Sequence, residues 1–283
     1  MISALILTLN EEVNLTECLE SLGWCDEIVV FDSFSSDRTE EIARAAGARF
    51  YQRKFDNYAQ QRNAALTEVN YKNPWVLMVD ADERIPGELA EEIKTTVTNW
   101  DGQTMLYRLR RKDMFKGRWL RRSTGYPTWA GRLFRIGEVQ VQRGVHEEYH
   151  TSGKVGQLEG HFIHYPFNKG MEYWLERHKK YAAMEARFLL KEIKKPLRWR
   201  DLFAGDPARK RKALKRLAYH LPARPLWVFG YLYLFRGGFL DGKGGLKYSV
   251  LRAWYERMID LKVREYNRER KRLSDEGRET LFA

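Results

Sequence analysis

Long apolar runs are absent from this chain. The stretch Leu226–Phe235 is ten residues, half of the roughly 20 that a bilayer-spanning helix needs. Cysteine is scarce: Cys18 and Cys25 are the two in 283 residues, spaced as neither a redox nor a zinc pair, so both are read as interior thiols. Met1 leads at once into the apolar Ile2–Leu7 and then Asn10-Glu11-Glu12, with no basic start and no small-residue cleavage site. A secretory leader is not expected, and the chain is predicted to stay in the cytosol. Basic residues are few in positions 1–100, nine Lys/Arg against 18 Asp/Glu, whereas the rest holds 41 against 20. The net charge of +12 is thus a property of the later part alone, and the two parts face different partners.

The basic excess is densest over residues 187–225, with 13 Lys/Arg against Glu192, Asp201 and Asp206, and the apolar PLWVFGYLYLF follows directly. Positive charge beside an apolar run suits an anionic membrane surface. Trp199, Trp227, Tyr231 and Tyr233 are the aromatics that a headgroup boundary favours. Nucleic acid is the competing partner, but no nucleic-acid motif accompanies the charge and none is expected to bind. A solvated basic face beside a core helix stays open.

What is abundant in residues 1–100 is alternation. ISALILT, EIVVFD, ARFYQ and WVLMV read as strands; between them Leu15, Cys18, Leu19 and Leu22 recur at helical spacing, and EEIARAA and NYAQQRNAAL read as helices. Gly47 stops the second helix, and Pro86 opens a fourth, PGELAEEIKTTV. Such alternation predicts an α/β fold with a mostly parallel sheet covered on both faces, its ligands beyond the carboxyl ends of the strands. Thr8, Asn10, Glu11, Asp32, Asp80 and Asp82 all fall at that rim. MLYRLR, GRLFRI and EVQVQ predict further strands on the acceptor side. The domain reading is 1–100 for the donor half, 101–167 for the acceptor half and 168–283 for a basic, amphipathic helical extension, with a charged tail after Arg264 expected to be disordered.

The sharpest local signal is WVLMVDADER, residues 75–84, a buried strand ending in three carboxylates. Crowded acids destabilise one another unless a positive group sits among them, and a metal is the simplest guest. Asp80 and Asp82, two apart in an extended segment, point the same way and so face one divalent ion, which favours oxygen ligands. An acidic loop capping the helix after Pro86 is the alternative.

ILTLNEE, FDSFSSDRT, QRNAAL and VDADE, in that order, resemble the family 2 glycosyltransferases of the GT-A fold. VHEEY, HFIHYPF and GGFLDGKGGL extend the resemblance, to the branch that adds glucose to heptose in lipopolysaccharide core. The resemblance implies that Thr8, Asn10 and Glu11 hold the nucleoside, that Asp32 contacts the uracil or ribose and Arg62 the base or diphosphate, and that Asp80 and Asp82 bind Mg²⁺ or Mn²⁺ on the diphosphate of a UDP-sugar. One departure is Ser33-Phe34, where many members read Asp-Gly.

Residues 146–150, HEEYH, also satisfy a zinc-hydrolase pattern, with His146 and His150 as ligands. That pattern needs a helix, and none is readable among these β-branched neighbours. Inverting sugar transfer needs a carboxylate to take the acceptor's proton; Glu147 is the candidate base and Glu148 its alternate, with His146 orienting the carboxylate and Arg132 offsetting its charge. His164 is a candidate third metal or diphosphate ligand. GGFLDGKG, residues 237–244, lacks the hydroxyl of a nucleotide loop and reads as a glycine turn. The sequence thus predicts an inverting glucosyltransferase working from UDP-glucose onto a lipid-linked saccharide, peripheral on the inner face of the cell membrane. A zinc hydrolase and a basic membrane- or nucleic-acid-binding protein are the other classes.

Overall fold

The computed structural model describes residues 1–142, 148–193 and 223–275. The chain divides into two compact units, residues 1–170 and 171–283.

In the first unit each apolar run becomes a strand and each 3.6-period stretch a helix. The order is β1 (Ile2–Thr8), α1 (Glu12–Ser21), β2 (Glu27–Asp32), α2 (Thr39–Ala45), β3 (Arg49–Gln52), α3 (Tyr58–Glu68), β4 (Trp75–Asp80), β5 (Glu83–Arg84) and α4 (Gly87–Thr98). There follow β6 (Thr104–Phe115), β7 (Arg118–Trp119), β8 (Thr128–Arg135), β9 (Gln140–Gln142), β10 (Glu148–His150) and β11 (Lys154–His164). β3, β2, β1 and β4 lie side by side and parallel, and β8, β6, β11 and β5 extend the same sheet with mixed directions. The register pairs Thr8 with Asp32 and Leu7 with Asp80, which brings the polar ends of three strands to one rim.

Both faces of the sheet are buried. Ile6, Val30, Leu77 and Phe162 pack toward Leu15, Leu19, Leu89 and Ile93 of α1 and α4. Leu5, Val29, Met78 and Phe134 pack toward Ala64, Ala65 and Leu66 of α3. This is why β4 reads as an unbroken apolar run rather than an alternating one. The Asn57 side chain caps α3 by accepting from the Gln60 amide at 2.9 Å, and Gly47, at φ 74°, ends the α2 segment as its sequence position predicts.

The second unit is helical, with α5 (Gly170–Ile193), α6 (Arg224–Gly230) running into a π-turn at Tyr231–Phe235, and α7 (Gly242–Asp275). Ala182, Ala186 and Leu189 of α5 pack with Tyr255, Ile259 and Tyr266 of α7. Buried Arg224 ties α6 to α7 through Glu256 at 2.9 Å and Asp260 at 3.2 Å. The glycine-rich stretch is a short 3₁₀ turn, Gly238–Asp241, entered at Gly237 (φ 71°) and left at Gly242 (φ 65°). A Cβ on Gly245 would lie 2.0 Å from the Gly238 carbonyl, so glycine is required there. The tail is a correction: α7 continues to Asp275 instead of fraying after Arg264. Tyr266 anchors it to the core, and Lys262 pairs with Glu265 one turn on.

His178 in α5 stacks on Trp174 with ring centroids 3.6 Å apart. Burial, joined by Arg177 and Arg252, pulls its pKa down to about 4 against the Trp174 carbonyl, which favours the proton. A depressed histidine carries no penalty above its unfolded pKa of about 6.5; the penalty grows as pH falls and is complete below about 4. Chemical denaturation should therefore show stability lost between those pH values, by about 3 kcal/mol at most. His178→Phe should remove most of that slope; an unchanged slope would contradict the assignment.

Candidate functional site

The rim begins where β1 and β2 end. Asp32 is fully buried and accepts from Thr8 Oγ1 at 2.7 Å and from the Ser35 amide at 2.7 Å. The Asp32 carboxylate, expected to contact the nucleoside, shapes the turn after β2 through these bonds. The same turn is tied to the β1 loop: the Asn10 amide donates to Ser35 Oγ at 2.7 Å, and the Ser36 amide donates to Asn10 Oδ1 at 2.8 Å. Asn10 and Phe34 both have positive φ, 55° and 61°. Phe34 thus holds a left-handed backbone at a cost of about 1 kcal/mol or more, and its ring is exposed.

Glu11 caps this wall. Its carboxylate meets Lys169 at 2.6 Å and Asn14 Nδ2 at 2.9 Å. Burial raises the Glu11 pKa and Asp82 adds to the rise, against Lys169. The electrostatic coupling brings the β1 loop and the β4 acids into one field.

At the end of β4 the crowded acids are already partnered. Asp80 Oδ1 accepts from Arg62 at 2.9 Å and Oδ2 from Arg132 at 2.9 Å. Arg132 also forks onto Glu83, at 2.7 and 3.0 Å. Burial alone would raise the Asp80 pKa, but Arg62 and Arg132 outweigh it and hold the carboxyl below its usual range. Burial lifts Glu83 above its ordinary value even with Arg132 on both oxygens. Among the described residues, arginines stand between these acids. Arg62, expected on the base or diphosphate, is buried against Asp80 and Met78. Arg132, expected to offset the charge of Glu147, offsets Asp80 and Glu83.

Asp82 is different. Its Oδ2 lies 3.5 Å from His164 Nε2, and His164 Nδ1 lies 2.6 Å from Asp113 Oδ1. Burial opposes the imidazolium, yet Asp82 and Asp113 carry the His164 pKa up to about 9. Asp113 is itself buried and pairs with Arg111 at 2.9 Å. Among the described residues no three acid, histidine or cysteine side chains converge on one metal position, so Asp82 and His164 make a two-donor site that a ligand's oxygens would have to complete.

Sequence reasoning missed Asp113, Glu83 and Lys169. Asp113 had one faint signal, a lone acid among cations in RRKDMF; Glu83 was visible as the third carboxylate of WVLMVDADER without a role of its own; Lys169 had none.

Glu147 and His146 lie outside the described residues. Glu148 and His150 stand on β10, both exposed and 4.0 Å apart, while Tyr149 between them turns inward to stack on Phe134 at 5.1 Å. The described end of HEEYH is therefore strand, not the helix a zinc site of that spacing needs.

The family model for glycosyl transferase family 2 matches residues 3–154. The chain is 30% identical over 261 residues to the lipopolysaccharide core biosynthesis glycosyltransferase LpsC of Rhizobium meliloti, covering 89% of this chain and 90% of that protein. It is 25% identical to an uncharacterized glycosyltransferase of Rickettsia typhi, over 93% and 87% of the two chains. Among solved structures, S. aureus TarS 1–349 is 15% identical and superposes over 95% of this chain and 91% of that chain with a TM-score of 0.45. Glucosyl-3-phosphoglycerate synthase from Mycobacterium tuberculosis, in complex with Mn²⁺, UDP and glucosyl-3-phosphoglycerate, is 24% identical over 44% of this chain and 47% of that chain, with a TM-score of 0.34.

Proposed function

The chain belongs to glycosyl transferase family 2 and is a glycosyltransferase, and we propose that it transfers glucose from UDP-glucose, with inversion, to a lipid-linked saccharide of the lipopolysaccharide core type. The observation that carries this reading is the Asp82–His164–Asp113 chain beside an Asp80 already held ionised by two arginines.

The donor set fits a divalent ion. Asp113 holds Nδ1–H of His164, the carboxylate-histidine arrangement that orients a metal-binding imidazole, and an ion between Nε2 and Asp82 would take the place of the Nε2 proton. Asp82 and His164 would hold Mg²⁺ or Mn²⁺, and the ion would supply positive charge to the departing diphosphate. Around it the chain's own residues position the donor. Asp80, locked by Arg62 and Arg132, faces the ribose side. Asp32 and Thr8 fix the turn on which Asn10, Ser35 and Ser36 line the nucleoside, and Glu11 closes it. Glu147, or Glu148 in its place, takes the proton from the acceptor hydroxyl as its oxygen attacks the anomeric carbon opposite the leaving group.

The test is a donor screen with Mn²⁺ present: nucleoside diphosphate release in the presence of a bacterial core glycolipid should be fastest with UDP-glucose. Equal or faster release from another UDP-sugar, or from a GDP- or TDP-sugar, would contradict the donor assignment.

The acceptor's lipid has a matching surface in the helical unit. Leu226, Trp227, Tyr231, Leu234, Phe235, Phe239 and Leu240 are exposed, and Lys243 and Lys247, also exposed, follow them in the chain. No helix among the described residues is long and apolar enough to cross a membrane. Exposed apolar and aromatic side chains followed closely by exposed lysines suit the interface of an anionic leaflet. The protein should sediment with phosphatidylglycerol-containing vesicles and not with phosphatidylcholine vesicles, and Trp227→Ser with Phe235→Ser should abolish this. Self-association of the wild type with no vesicle binding would assign the face to a second copy instead.

A further inference from the structure

Residues 101–135 carry ten Lys/Arg against two acids, Asp101 and Asp113, and the donor site described above uses only Arg111 and Arg132 of the ten. Three of the others, Arg110, Lys112 and Arg121, gather about the β6–β7 hairpin and its neighbouring strand. Lys116 and Gly117, at φ 48° and 76°, form a tight turn of the kind that reverses a strand onto itself. Trp119 comes back opposite Met114, on the same face of the sheet as Lys112 and Arg110.

That face is aromatic and cationic together. The Trp119 ring lies nearly parallel to His161, with centroids 6.2 Å apart and 14° between planes, and Tyr126 meets it edge-on at 5.0 Å. Lys112 Nζ sits 4.8 Å and the Arg121 guanidinium 5.5 Å from the Trp119 ring centre. One strand over, Arg110 lies 5.9 Å from the ring of exposed Trp129. Among the described residues neither Arg110, Lys112 nor Arg121 forms an ion pair with an acid, and Arg110 Nε and Trp119 Nε1 are buried donors without a hydrogen-bond partner. Burial, Lys112 and Arg110 hold the His161 pKa below its usual value, with Glu88 pulling the other way.

Cations gathered without counter-charge repel one another, and stacking on indole offsets only part of that. Two orphaned donors add to the cost. An oxyanion relieves both, and exposed indole suits the apolar face of a sugar ring. We propose that this face is a subsite for an oxyanion, phosphate or carboxylate, carried on the acceptor saccharide. His161 pairs with Arg110 three positions along the same two strands from the His164–Asp113 pair, about 10 Å away at strand spacing. By alternation Arg110 and Lys112 face away from Asp113. A saccharide held there is held at a distance from the reacting hydroxyl, so the subsite acts on affinity and not on the chemical step. Only the word acceptor rests on the transferase reading; the anion site does not.

The test uses the full chain and calorimetric titration of the core oligosaccharide released from a bacterial lipopolysaccharide. One portion is untreated, one is dephosphorylated with aqueous hydrogen fluoride, and one is carboxyl-reduced. Loss of the anion that matters should weaken binding about tenfold or more, and which treatment does so identifies the group. Arg110→Gln with Lys112→Gln, and separately the exposed Arg121→Gln, should bind all three portions alike and raise the acceptor KM with kcat unchanged. UDP with Mn²⁺, titrated into the same samples, reports folding and the donor site independently. If UDP fails to bind while the oligosaccharide portions still differ, the donor reading falls and the subsite stands. Equal binding of all three portions by wild type, no binding of the untreated portion, or discrimination surviving in the double variant would each overturn the subsite.

Discussion

Arg132→Met is expected to destabilise the fold by about 3–5 kcal/mol, a fall in Tm of roughly 10 °C. Arg132 is the fork between two acids: Asp80 at 2.9 Å and Glu83 at 2.7 Å. Removing one member of a buried ion pair leaves the other charge without compensation, which costs far more than the intact pair contributes. Asp80 would keep Arg62, at 2.9 Å, but among the described residues Glu83 would keep only the Asp80 amide as a hydrogen-bond donor, at 3.1 Å. Arg62→Met should therefore cost less than Arg132→Met, and Arg132→Met with Glu83→Leu should recover part of the loss. Acid sensitivity follows from Asp80, whose folded pKa lies below its ordinary value. Its contribution is fully present above the unfolded pKa of about 3.9 and is lost as pH falls through the lower folded value. In Arg132→Met that acid limb should move to higher pH. Circular-dichroism melts of the variants from pH 3 to 7 read both effects, and a loss under about 1 kcal/mol, the scale of an exposed pair, would contradict the assignment.

Asp82→Ala is expected to lower transfer about a thousandfold, the scale on which a single preorganised group stabilises a developing charge, while leaving Tm unchanged or slightly higher. Asp82 follows β4 by two residues, and as a like charge it pushes up the pKa of both Asp80 and Glu11. Its removal relieves repulsion on two neighbours and takes one carboxylate from His164. A variant that loses activity because it unfolds would fail this prediction, and so would one that stays active.

The frame was legible because strands buried on both faces and amphipathic helices write different periods into a sequence. Leu5, Val29 and Leu77 sit in unbroken apolar runs, while Leu15, Cys18, Leu19 and Leu22 recur every three or four residues. Asp80 and Asp82 were legible for the same reason, since the rim of a parallel sheet is fixed once its strands are. Pairing across the chain was not. Asp113 and His164 are 51 residues apart, and Glu11 and Lys169 are 158 apart; no local pattern tells which distant cation an acid meets. Arg62 and Arg132 were visible as useful cations, Arg62 assigned to a ligand and Arg132 to Glu147, but nothing local showed that both meet the protein's own buried carboxylates. The helical tail beyond Arg264 was misread because composition alone favours disorder there. One aromatic, Tyr266, seated in the core between α5 and α7, decides otherwise.

The central claim is that Asp82 and His164 carry the divalent ion through which a uridine diphosphate binds. Titrating UDP into the wild type and into Asp82→Ala, each with and without Mn²⁺, tests it most directly. Tight binding by the wild type only when Mn²⁺ is present, and weak binding by Asp82→Ala under both conditions, is the predicted result. UDP binding to the wild type that is indifferent to Mn²⁺, or to the loss of Asp82, would contradict it.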